Sequence, residues 1–121
     1  GVAYAHGEGV PKNISAALNW YNKAAEQGHA KAEYQLGLMH KRGDGVSQSD
    51  EAAVIWFTKS AAQDNASAQF NLGLMFDEGM GVIENSKTAA HWYTLATQQG
   101  YAEAQLRLAL MYEVGRGVPK N

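Results

Sequence analysis

Gly9, Gly45, Gly81 and Gly117 are each followed by valine, and each lies 36 residues from the last. The same step carries Trp20 to Trp56 to Trp92, Ala17 to Ala53 to Ala89, Leu36 to Leu72 to Leu108, and Met39 to Met75 to Met111. Five columns in one register mean that one supersecondary unit is repeated. The fold is then a stack in which each copy buries its apolar face against its neighbours.

Each unit divides into two helical patterns. In HAKAEYQLGLMHKRGDG (29–45), Ala32, Leu36, Met39 and His40 share one face, and Gly43 stands where a left-handed C-cap would end the run. In SDEAAVIWFTKSAAQDN (49–65), Ser49 is placed to cap the N-terminus and Asp50 and Glu51 fall in the first turn. Ala53, Trp56, Phe57 and Ser60 form the expected buried stripe. Asn13 and Asn85 occupy the Ser49 position in the other copies, and Gly28, Asp64 and Gly100 end the second helix. The first helix of a unit is called A below and the second B.

The 45% apolar, 18% charged composition is that of a folded globular chain, which excludes disordered and collagen-like classes. A net charge of −2 with no basic run argues against nucleic acid as a partner. No stretch reaches the ~18 consecutive apolar residues of a membrane span, so this segment is not expected to insert directly. Without cysteine, neither disulfides nor thiolate chemistry is available.

Candidate chemistry gives way to structural readings. The G-x-G loops follow a helix instead of joining a strand to a helix, so they read as helix-ending turns and not phosphate cradles. Gly37 and Gly73 lie inside helix A and align with Ala109, which points to close helix approach. His6, His29, His40 and His91 show no i, i+4 pair with a carboxylate, so no metal site is expected. The recurring tryptophans and methionines are expected in the core, and no cofactor or catalytic residue is assigned.

The units resemble the Sel-1-like repeat family, relatives of the tetratricopeptide solenoids. The resemblance rests on AEYQLGLMHKRGDGV, AQFNLGLMFDEGMGV and AQLRLALMYEVGRGV for helix A and its loop. Helix B contributes AALNWYNKAAEQG, AAVIWFTKSAAQD and TAAHWYTLATQQG. It implies an all-α, right-handed superhelical α-solenoid of stacked antiparallel helix pairs. The units are a partial copy over 1–28, full copies over 29–64 and 65–100, and a partial copy over 101–121. The chain starts in mid-helix and ends on the cap position of a further helix B, so it reads as a piece of a longer array whose ends are its least protected parts.

The resemblance also implies a non-catalytic scaffold or adaptor for a protein or peptide partner, and it leans towards a periplasmic or secreted setting. A cysteine-rich branch of the family is associated with β-lactam binding or hydrolysis, but this chain has neither cysteine pairs nor S-x-x-K. A structural spacer is the other alternative.

In tetratricopeptide-like solenoids the face of helix A opposite the core lines the concave surface. Stepping 100° per residue from Tyr34 gathers Lys31, Leu38 and Lys41, with Arg42 at the flank. The next copies supply Ser67, Phe70, Leu74, Asp77 and Glu78, then Glu103, Leu106, Leu110 and Glu113, and Val2 extends the stripe. Two readings of its apolar members stand: a peptide groove anchored by Tyr34 and Phe70, or packing between neighbouring helices.

Overall fold

The computed structural model describes residues 10–115, with side chains from Ile14 onward. Val2, His6, Gly9 and Gly117, the half-helix expected at 1–6 and the segment after Gly115 lie outside that range. The described residues form six helices and no strand: α1 Val10–Glu26, α2 Ala30–Arg42, α3 Asp50–Ala61, α4 Ala66–Glu78, α5 Ser86–Gln98 and α6 Ala102–Val114. α2, α4 and α6 are A helices, and α1, α3 and α5 are B helices. The closest packing is within the pairs α2–α3 and α4–α5, and each B helix also packs on the next A helix.

Local chemistry sets the helix ends. Ser49 Oγ accepts from Ala52 N–H at 3.1 Å and Asn85 Oδ1 from Thr88 N–H at 3.0 Å, as N-caps do. Asn65 caps α4 in the same way, accepting from Ala68 N–H at 2.8 Å. Gly43 and Gly79 close α2 and α4 in the left-handed conformation. Asn13 departs from expectation, because α1 already begins at Val10 and Asn13 lies within it. Pro11 falls in the first turn, where its missing N–H removes no intrahelical bond.

One packing device recurs in both complete units. The ring of Phe57 on α3 lies against the backbone of Gly37 on α2 and tilts against Tyr34 at 5.9 Å between centroids. Tyr93 on α5 lies against Gly73 on α4 and tilts against Phe70 at 5.8 Å. A Cβ at position 37 would stand 2.5 Å from Phe57 Cδ1 and Cε1, well inside contact distance. Ala109 occupies the same column but is exposed, with no such ring over it among the described residues. Smallness alone is therefore not the demand at this column, since the aromatic ring requires glycine. Gly37→Ala is expected to lower stability by about 1–2 kcal/mol despite alanine's better helix propensity, because overpacking outweighs that gain. Thermal unfolding of the two chains checks this.

The buried aromatic column is therefore Phe57 and Tyr93, both fully buried, and not the tryptophans. Trp56 is half-buried at the edge of the Ala25, Ala32, Leu36 and Met39 cluster, with Lys59 Nζ 4.8 Å from its ring centroid. Trp92 borders the next cluster, of Ala53, Phe57, Ala61, Ala68, Leu72 and Met75, in the same manner. Trp20 is 74% exposed, which corrects the expectation of a tryptophan core. Trp56 and Trp92 each lean on a cluster shared by the preceding B helix and their own A helix.

Within each complete unit an amide at the end of helix B also ties back to a buried polar side chain on helix A. Gln63 Nε2 donates to Glu33 Oε1 at 2.7 Å, and 36 residues on, Gln99 Nε2 donates to Gln69 Oε1 at 3.0 Å. Glu33 and Gln69 are both buried, so each bond satisfies a polar group that burial removes from water.

Candidate functional site

The A helices stand side by side along one face of the stack. The Tyr34 hydroxyl on α2 is hydrogen-bonded to the side chains of Asn71 and Ser67 on α4. Phe70 on α4 stacks on Tyr101, at the start of α6, with centroids 5.0 Å apart. These contacts show how the expected stripe is used. Phe70 is only 5% exposed and lies in a core cluster with Ala89, Ala90 and Tyr93, so it is not an accessible anchor. Tyr34, Leu38 and Leu74 are half-buried and packed against the clusters behind them. Leu106 and Leu110 are exposed.

The outermost ridge of this face lies one residue further round each helix. It runs Lys31, Gln35, Leu38 and Arg42 on α2, then Ser67, Leu74 and Glu78 on α4, where Asn71 is buried, then Glu103, Arg107, Leu110 and Val114 on α6. Lys31, Arg42, Glu78, Glu103 and Glu113 are exposed, while Lys41 and Asp77 are half-buried. Gln35, Asn71 and Arg107 were absent from the expected stripe. Their signal was a column polar in all three copies beside one apolar in all three; Arg107 is exposed and Gln35 half-buried, while Asn71 is buried and its Nδ2 donates to the Ser67 carbonyl at 2.9 Å.

Between α4 and α6 the ridge is indented by a cleft of about 340 Å³, lined by Asp77, Arg107, Leu110, Met111 and Val114. The buried Tyr93 ring lies behind it, and its hydroxyl donates to Asp77 Oδ2 at 3.4 Å. Burial raises the Tyr93 phenol well above the usual tyrosine value, and the Asp77 carboxylate adds to this while Arg107 opposes it. Burial likewise raises Tyr34, reinforced by Tyr101 and opposed by Arg42 and by the Asn71 and Ser67 hydrogen bonds. Both phenols are thus held protonated at neutral pH, as hydrogen-bonding groups and not as bases. Among the described residues no group of three His, Asp or Glu converges on a point.

Four consecutive segments of the chain, residues 1–29, 30–65, 66–101 and 102–121, match the Sel1 repeat. The chain belongs to the Sel1 repeat family. Among solved structures, a Sel1 repeat protein from Oxalobacter formigenes is 41% identical over 86% of this chain and 43% of that one, with a TM-score of 0.83. The c5321 protein, a protective antigen of uropathogenic Escherichia coli strains with the same repeat fold, is 35% identical over 99% of this chain and 26% of that one, at a TM-score of 0.91. Helicobacter pylori cysteine-rich protein B shares the fold at a TM-score of 0.69, with 22% identity over 94% of this chain and 83% of its own. The Sel1 chain spans less than half the length of the first two proteins. No match was found among curated protein sequences.

Sel1 repeat proteins are generally scaffolds for protein interaction, mainly non-catalytic, and their partners are proteins. No helix among the described residues is long and apolar enough to cross a membrane.

Proposed function

We propose that this Sel1 repeat segment is a scaffold that binds a polypeptide segment of a partner protein along the face of α2, α4 and α6. The supporting observation is the ridge itself. The columns behind it repeat without change, as Ala32, Ala68 and Ala104 or Met39, Met75 and Met111 do, because shape dictates them. Apart from Leu38, Leu74 and Leu110, the ridge columns change from unit to unit, to Lys31, Ser67 and Glu103 or Gln35, Asn71 and Arg107, on a surface continuous across three helices and indented between the last two. Packing does not dictate the exposed Lys31, Glu103 and Arg107, so they are free to recognise a particular sequence, whereas Asn71 is buried and bonded within α4. The binding elements are the ridge charges and the half-exposed leucines, with Tyr34 and Phe70 holding the platform beneath.

The test begins by selecting peptides from a random display library against the chain and mapping their contacts by NMR shift perturbation. Perturbations should centre on Gln35, Leu74 and Arg107. A variant with Lys31, Arg42 and Glu78 all changed to alanine should bind about tenfold more weakly, each such factor being ~1.4 kcal/mol. Glu51→Ala with Lys87→Ala, both exposed on B helices, should bind as the unaltered chain does. Loss of binding in that control with retention in the ridge variant would place the interface on the opposite side of the stack. A pure spacer would select no peptide.

A further inference from the structure

We propose that the A-helix face is electrically polarised, and that the segment it holds is acidic where it crosses α2 and basic where it crosses α4 and α6. This rests on the reading of that face as the binding surface. Three columns change sign in the same direction across the stack: Lys31, Ser67, Glu103; Lys41, Asp77, Glu113; and Arg42, Glu78, Val114. The A helices repeat in one orientation, so the last two columns lie at their C-terminal ends and form one rim. Lys41 and Arg42 suit that position, since cations favour the negative end of the helix dipole. Asp77, Glu78 and Glu113 sit against it, and neither α4 nor α6 has a basic residue in its last turn. Helix stability thus explains the basic part of the rim but opposes the acidic part, and departures of this kind from local preference are expected at functional surfaces.

Among the described residues, the groups that oppose the polarity are few. Arg107 faces the cleft beside Asp77, and Asp44 is exposed in the loop after α2. Glu33, the carboxylate on α2, is buried and accepts from Gln63. Lys31, Arg42, Glu78, Glu103 and Glu113 are all exposed, so their fields act on whatever approaches this face. Packed helices lie about 10 Å apart and an extended segment advances ~3.3 Å per residue. The partner's acidic and basic side chains should therefore stand roughly three to six residues apart, with an apolar residue between them over Leu38 and Leu74.

Panning a random library of peptides about twelve residues long, enough to cross three helices at that spacing, tests this. The target is the whole chain, beside a variant with Lys31→Glu and Arg42→Glu, whose exposed positions leave the fold intact by circular dichroism. The chain should recover peptides with Asp and Glu in one half and Lys and Arg in the other. A synthetic copy of such a peptide should bind the variant about tenfold more weakly at low salt, and the difference should shrink at high salt. The same peptide with its acidic half made basic should prefer the variant. Peptides that perturb the ridge yet mix their charges, or bind both proteins equally, would overturn the polarity and leave the groove standing. Peptides that map to α3 and α5, or no enrichment on either protein, would overturn both.

Discussion

Replacing Phe57 by alanine should lower the unfolding free energy by about 3–5 kcal/mol, the range for truncating a fully buried large aromatic. Against a total of roughly 5–15 kcal/mol for a small domain, that removes much of the margin. The ring touches α2 at Gly37 and Tyr34 and belongs to the cluster that binds α3 to α4, so one truncation opens the packing on both sides of α3. Neighbouring rings cannot refill the space without leaving their own. Trp56→Ala should cost less because that ring is half in solvent, and Trp20→Ala should stay within about 0.5 kcal/mol, as exposed substitutions do. Urea denaturation of the three variants gives the order directly. A midpoint for Phe57→Ala no lower than that for Trp56→Ala would show that the tryptophan column is the core after all.

The sequence recurrence located the helices, the Ser49 and Asn85 caps and the packed alanine, leucine and methionine columns, because shape at the core demands the same residue in every copy. It did not separate Trp56 from Phe57. Residues 52–57 of α3 are all apolar, and the helix is buried towards α2 and α4 together, so periodicity has no clean polar face to measure from. The same difficulty shifted the groove by one position. Tyr34, Phe70 and Leu106 look like an exposed apolar stripe only if helix A has one covered side, whereas the aromatic ring of helix B covers it from a second. Gln35 and Arg107 then lie on the outward side, while Asn71 in the same column is buried. The cleft beside Asp77 depends on the spacing of α4 and α6 and has no counterpart in a linear pattern.

The glycine column that announces the repeat should be the least tolerant position outside the apolar core. Gly81 has φ +73°, and a Cβ there would lie 2.6 Å from both the carbonyl carbon and oxygen of Asp50 and 2.8 Å from Glu51 N. Those atoms open α3, so the loop that follows the A helix of one unit rests on the backbone at the start of the preceding B helix. Gly45 meets the side chain of Ile14 on α1 at the equivalent place. Two costs add for Gly81→Ala. A left-handed backbone disfavours alanine by about 1 kcal/mol, and the collision is with main chain that cannot rotate aside, so overpacking adds about 1–3 kcal/mol more. Gly100 separates the two, having φ +80° but nothing within 4 Å of its virtual Cβ, and Asp64 shows that a side chain can stand in that column at φ 65°. Gly100→Ala should therefore cost only the conformational part, about 1 kcal/mol. Denaturation midpoints that fall equally for the two variants would mean that the units can separate slightly at no cost, and that the recurring glycine serves the turn alone. A Gly81→Ala loss about 2–4 times larger would assign the column to the contact between units, which is why it keeps the register of the whole stack.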